Sequence, residues 1–171
     1  AIKRRSKKTE RPTNYLKPLG EKIFLDRYAL KDGTKESLQT GDTIVVVANE
    51  KTGQREIGTV KALADGKVTA ELRDGTTVHR PVEKIDKPLE TDPGQMISRV
   101  ARSIAGVEPE DKRDVWTHRF ESLLEDWKFV PGGRILTGAG TDQNLTYYNC
   151  YVVPSPRDSR GGIMETLSQM T

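Results

Sequence analysis

Apolar residues recur in two rhythms along this chain, and the change of rhythm divides it. From Lys67 to Leu72 they alternate: Val68, Ala70 and Leu72 against Lys67, Thr69 and Glu71, the period-two pattern of a half-buried strand. Similar β-branched runs at Thr43–Ala48, Arg55–Leu63 and Thr76–Val82 are separated by Lys51-Thr52-Gly53, Asp65-Gly66 and Asp74-Gly75. Short strands with glycine turns at this spacing predict a small antiparallel barrel of the SH3-like type over 38–87. Upstream, Ile23, Phe24, Leu25, Tyr28 and Leu30 form an apolar patch in Glu21–Lys31. It predicts a strand or short helix docked on another surface, ended by Asp32-Gly33.

After Pro88 the spacing becomes helical. Asp92-Pro93-Gly94-Gln95 is a helix start, with aspartate as N-cap, proline first and glutamine third. Met96, Ile97, Val100, Ala101, Ile104 and Ala105 then mark one face. A second helix opens at Pro109, with Glu110 and Asp111 placed to suit its dipole. Its stripe is Trp116, Phe120, Leu123, Leu124 and Trp127, and it is expected to end at Lys128. Pro131-Gly132-Gly133 breaks the chain into a glycine-rich loop, Tyr147–Val153 reads as a buried strand, and Ile163, Leu167 and Met170 recur at helical spacing. That last face has nothing to pack on, and the chain stops at Thr171 without a cap. An amphipathic face of this kind requires a partner surface, so the chain is expected to be cut inside a larger domain.

Composition changes this picture little. The 171 residues are 34% hydrophobic and 31% charged, enough for one domain or two small ones. The net charge of +3 is concentrated in Lys3, Arg4, Arg5, Lys7, Lys8 and Arg11, opposed only by Glu10. Residues 1–17 therefore read as a disordered basic lead-in, not as part of a basic face. With no long apolar run and no signal-peptide pattern, a soluble cytoplasmic protein is the expectation.

The single cysteine, Cys150, excludes an internal disulfide and any multi-cysteine zinc site. By chemistry alone, a lone thiol in an apolar strand reads as a small buried hydrophobe. His79 and His118 have no partners at metal-ligand spacing, so no metal site is expected. Arg99, Arg102 and Arg113 read as solvated helix faces or as contacts to a missing body. Pro131-Gly-Gly-Arg-Ile-Leu-Thr-Gly-Ala-Gly-Thr141 fits neither the P-loop nor the dinucleotide-binding glycine spacing. It reads as a tight loop tolerating positive φ. Asp158-Ser159 is a good N-cap pair for the final helix.

Three stretches read together carry more than each alone. Trp127-Lys-Phe-Val-Pro-Gly-Gly-Arg-Ile-Leu-Thr-Gly-Ala-Gly-Thr141, Tyr147-Tyr-Asn-Cys-Tyr-Val-Val153 and Pro156-Arg-Asp-Ser-Arg160 follow one another in an order that resembles the ribonucleotide reductases. The similarity is to the start of their ten-stranded barrel, nearest the adenosylcobalamin-dependent (class II) branch. It is strong over 127–170, fair over 18–32 and 88–126, and weak between. The resemblance implies an α/β fold: a mostly helical region over 18–37 and 88–126, an inserted SH3-like β-barrel over 38–87, and the incomplete first part of the catalytic barrel over 127–171.

The resemblance also implies roles. Cys150 would belong to the redox-active pair that reduces the ribose, a task that suits a thiol on a rigid strand. Asn149 and Arg134 would lie beside the ribonucleotide substrate, with Arg134 and the amides after it near its phosphates. Arg134 departs from the small hydroxyl residue that many class I relatives carry nearby. Asp158 and Ser159 would contact a deoxynucleoside triphosphate effector at a site between subunits of a homodimer. The adenosylcobalamin site, the second redox cysteine and the radical-carrying cysteine would lie in the remainder of the reductase, with a thioredoxin-type protein as reductant. The segment alone would be inactive. A second reading, from the residues themselves, is a nucleic-acid-binding module formed by the basic lead-in and the small barrel. Balanced charge and a shortage of aromatics for base stacking weigh against it. A third is a structural role for the barrel, as a spacer or docking surface.

Overall fold

A computed structural model describes residues 16–170; most of the basic lead-in lies outside them. Helix α1 (Pro18–Ile23) starts on a proline and runs into a π-helical turn, Phe24–Tyr28. The patch that admitted strand or helix is therefore helical, and it buries Phe24 and Leu25.

Five strands follow: β1 (Thr43–Asn49), β2 (Gln54–Ala64), β3 (Lys67–Leu72), β4 (Thr77–Pro81) and β5 (Ile85–Asp86). They form an antiparallel sheet in the order β4-β3-β2-β1-β5. The chain thus meanders through four strands and returns to pair its last, short strand with its first. Asp65 and Gly66 join β2 to β3 with φ of 48° and 70°, the double positive φ that a two-residue hairpin requires. Gly58 is needed for a different reason: a Cβ there would stand 3.0 Å from the Glu71 carbonyl oxygen and 3.3 Å from Leu72 Cδ2.

Because successive strand residues face opposite ways, β1 serves two cores. Ile44 and Val46 turn inward with Val60, Val68, Ala70, Leu72, Val78 and Ile85. Val45 and its cross-strand partner Ile57 turn outward. There they join Phe24, Leu25, Met96, Ile97, Val100 and Ala101. The sheet and the helices thus share a core.

Helix α2 (Pro93–Ala105) starts as its sequence predicts: the Asp92 carboxylate accepts from the Gly94 amide at 2.7 Å, and Gln95 Oε1 accepts from the Asp92 amide at 3.1 Å. Helix α3 (Glu110–Leu124) gives way to a 3-10 turn, Glu125–Trp127. Only Leu124 of its stripe is fully buried; Leu123 and Trp127 are 48% and 40% exposed. Trp116 instead stacks on Phe120 and carries the Arg119 guanidinium over its ring.

Two local expectations change after Pro131. The segment Gly133–Gly138 is a helix, α4, not an open loop. Tyr147–Val153 is not a strand and bends at Asn149; no second described segment runs beside it to accept and donate ladder hydrogen bonds. The strands among the described residues all lie between Thr43 and Asp86. Helix α5 (Arg160–Met170) closes the described chain.

Candidate functional site

The site region is held by a buried ion pair. Arg99, on the core side of α2, is 7% exposed and Glu90 is 6% exposed. Arg99 donates to both carboxylate oxygens, Nε to Oε1 at 2.7 Å and Nη2 to Oε2 at 3.0 Å. Nη1 also reaches the Ala139 carbonyl at 2.5 Å, and Nη2 the Leu136 carbonyl at 3.1 Å. These belong to the last turn of α4, where helix carbonyls lack intrahelical partners and a cation is favoured. Glu90 Oε2 accepts in addition from the Leu30 amide at 2.9 Å. One guanidinium–carboxylate pair therefore ties together the end of the π-helical turn, α2 and α4. Arg99 is thus no solvated arginine, whereas Arg102 is exposed. Spacing carried the signal: Arg99 lies three residues after Met96, on the buried side of its helix.

Leu136 and Ala139 are buried in the shared core. Gly140 follows with φ of 74°, and a Cβ there would stand 2.8 Å from Arg99 Cγ. Thr141 closes the turn by donating from its amide and its hydroxyl to the Gly138 carbonyl, at 3.3 and 2.9 Å.

The chain then folds back across α4. Leu145 and Tyr147 lie against Gly138, 3.2 and 3.4 Å from where a Cβ would stand, and Asn149 Nδ2 is 2.8 Å from the equivalent point on Gly132. Leu145, Tyr147 and Asn149 thus touch the helix while remaining exposed, Leu145 and Tyr147 each at 48%. Tyr148, Cys150 and Val152 are exposed too, Val152 completely. The thiol is presented outward and not buried as a core hydrophobe. Tyr148 and Tyr151 meet edge to face at 6.4 Å, and the Tyr151 hydroxyl donates to Thr146 Oγ1 at 3.2 Å.

The remaining residues singled out by sequence are spread along this ribbon. Arg134, in the first turn of α4, is exposed. Ser159, not Asp158, caps α5: its Oγ accepts from the Gly162 amide at 3.1 Å. Asp158 is exposed beside it. A cleft of about 530 Å³ opens between Arg27–Gly33 and Thr137–Gln143, lined by Tyr28, Lys31, Thr137, Thr141 and Asp142 among others. Among the described residues, no group of histidine, cysteine or acidic side chains could hold a metal ion.

The nucleic-acid reading is not favoured: Lys22–Glu56, Lys61–Glu71, Arg73–Glu21, Lys84–Glu50 and Lys87–Asp42 pair many of the cations of the sheet and its neighbours with acids. Residues 38–87 contain no phenylalanine, tryptophan or tyrosine, so no base-stacking platform exists there.

Comparisons with known proteins bear on this region. Residues 82–144 match the family model described as "Ribonucleotide reductase, all-alpha domain". The match takes in Glu90, Arg99 and Arg134 and ends before Cys150, Asp158 and Ser159. Two curated relatives, each named vitamin B12-dependent ribonucleoside-diphosphate reductase, come from Mycobacterium tuberculosis strains CDC 1551 / Oshkosh and ATCC 25618 / H37Rv. Each is 36% identical over 102 residues, covering 57% of this chain. The chain spans 14% of the length of these relatives. No solved structure matches it.

Proposed function

We propose that this chain is an N-terminal portion of a class II, vitamin B12-dependent ribonucleotide reductase, a reading supported by the family match and the two relatives, and that it supplies one thiol of the dithiol that reduces a ribonucleotide. The observation that carries the reading is the placement of Cys150. The thiol is exposed, in a segment whose Leu145, Tyr147 and Asn149 touch α4 and the residue before it, and α4 lies inside the family match. In the proposed reaction the C2′–O bond breaks and a C2′–H bond forms. Two thiols become a disulfide, one of their hydrogens ending on C2′ and the other in water. The chain has one cysteine, so the second thiol belongs to the remainder of the reductase, and a thioredoxin-type protein would reduce the disulfide between turnovers. Asn149 would flank the ribose. Arg134 and the neighbouring amides would face the phosphates, which in the named relatives are those of a ribonucleoside diphosphate.

The adenosylcobalamin that the resemblance implies would be held by the rest of the enzyme, and no step here is assigned to it.

Asp158 is assigned to the deoxynucleoside triphosphate effector, with Ser159 holding the N-terminus of α5, where an anion is favoured. Ile163, Leu167 and Met170 are more than half exposed on that helix and would form part of a homodimer interface. Residues 38–87 are assigned as an inserted SH3-like unit. In support, Lys31 pairs with Pro88, so the chain leaves and returns at one place. No described helix is long and apolar enough to cross a membrane, and a cytoplasmic setting is assigned with the reductase role.

The test is Cys150→Ser in the complete reductase, assayed with a dithiol reductant. Multiple turnover should be lost while effector binding stays unchanged. Wild-type turnover would return Cys150 to the role of a passive side chain.

A further inference from the structure

We infer that the Arg99–Glu90 pair is a positioning device that sets where the Cys150 ribbon lies, an inference that rests on the redox reading of that thiol. The pair is an uneconomical way to gain stability. Two charges must lose their water, and apolar residues of similar size commonly serve a core as well or better. What the pair adds is geometry. A guanidinium presents its donors in a fixed planar fork, and here the fork engages one carboxylate, two carbonyls at the end of α4 and, at 3.4 Å, the Tyr28 carbonyl. The carboxylate is itself anchored by the Leu30 amide. The position of α4 relative to α2 is therefore specified by directional bonds and not by packing alone.

The ribbon inherits that position. Gly140 lies so close to Arg99 that a Cβ would stand 2.8 Å from Cγ and 3.1 Å from the Arg99 carbonyl oxygen. Leu145 and Tyr147 rest on Gly138, and Asn149, the residue before Cys150, rests on Gly132. The path from Arg99 to the thiol thus runs through both ends of α4 by direct contact. Loss of the fork lets α4 and its ribbon shift together. A displacement near 1 Å in a reacting group can reduce a rate about a hundredfold while substrate binding persists. Arg99 touches no substrate in this account and acts through α4.

The experiment uses the complete reductase, with kcat and KM for the ribonucleotide and thermal melting measured for each variant. Arg99→Lys keeps the charge opposite Glu90 but cannot hold the carboxylate and both carbonyls together. Its kcat should fall about tenfold or more while KM stays within about twofold. Gly140→Ala keeps both charged groups but crowds Arg99 Cγ and its carbonyl oxygen, displacing the same turn, and should show the same kcat-against-KM split. It decides the question if the lysine variant fails to fold. Wild-type kcat in both variants, or in Gly140→Ala alone where the lysine variant does not fold, would overturn the positioning role. So would an equal loss expressed only in KM. Cys150→Ser in parallel separates the two claims: if it abolishes turnover while the positioning variants do not, the inference fails and the redox reading stands. If it turns over normally, the reading fails.

Discussion

Val45 and Val46 are adjacent on β1 yet belong to different cores, which makes them a sharp test of whether the sheet and helices unfold as one unit. Val45 is 1% exposed and packs with the helices; Val46 is 0% exposed and packs within the sheet. Truncating either to alanine removes two methylene equivalents, about 1.6 kcal/mol at roughly 0.8 kcal/mol each. A residual cavity raises the cost to about 2–3 kcal/mol. With a urea slope of about 2 kcal/mol/M, the midpoint should fall by roughly 1 M. Both tryptophans, Trp116 and Trp127, lie on α3 and the turn after it. Their fluorescence therefore reports the helical part alone. Val46→Ala, although it sits inside the sheet, should lower the tryptophan midpoint about as much as Val45→Ala, with far-ultraviolet circular dichroism giving a coincident transition. If Val46→Ala left the tryptophan transition in place while a separate sheet transition moved, the shared core would not couple the two parts.

Acid should loosen the same junction. Burial raises the Asp86 pKa, but the Arg55 hydrogen bond and charge, with Lys31 nearby, outweigh it and hold the carboxyl below its ordinary value. A depressed folded-state pKa contributes stability that is present above the unfolded value of about 4 and is lost as pH falls through the folded value. Asp86→Asn should therefore lower urea stability at pH 7 and flatten its decline below pH 4; an unchanged acid profile would refute the assignment. For α5, Ser159→Ala should cost about 1 kcal/mol through loss of the cap, whereas Asp158→Ala should leave thermal stability nearly intact and weaken effector affinity in the complete enzyme. Because coupling is reciprocal, the Asp158 change should also alter how effector shifts substrate affinity; unchanged affinities with and without substrate would leave Asp158 outside the effector site.

What the sequence disclosed was what its neighbours in sequence decide. Asp92 and Gln95 announced the start of α2 because a capping box closes within four residues, and Asp65-Gly66 announced a hairpin because the turn demands positive φ there. Helix α4 was hidden. Pro131-Gly-Gly followed by Thr-Gly-Ala-Gly reads as loop, and the carbonyls that end the helix are held by an arginine 37 and 40 residues away. The same distance hid Arg99 as a buried residue, although its spacing from Met96 placed it on the core side. Tyr147–Val153 erred in the other direction. Its β-branched and aromatic residues fit a strand, but a strand is made by its partners, and none is present among the described residues. Cys150 was legible as a candidate only through the motifs around it, since a lone thiol has no pattern of its own.

The most direct measurement of the central claim is a disulfide map of the complete reductase after turnover without external reductant. Reduced enzyme is given ribonucleotide and adenosylcobalamin, quenched with an alkylating agent, digested and analysed by mass spectrometry. The account predicts that the peptide bearing Cys150 becomes linked to a second cysteine elsewhere in the enzyme, in step with deoxyribonucleotide formed, and that the link is absent without substrate. Cys150 recovered fully alkylated after product has accumulated would contradict it.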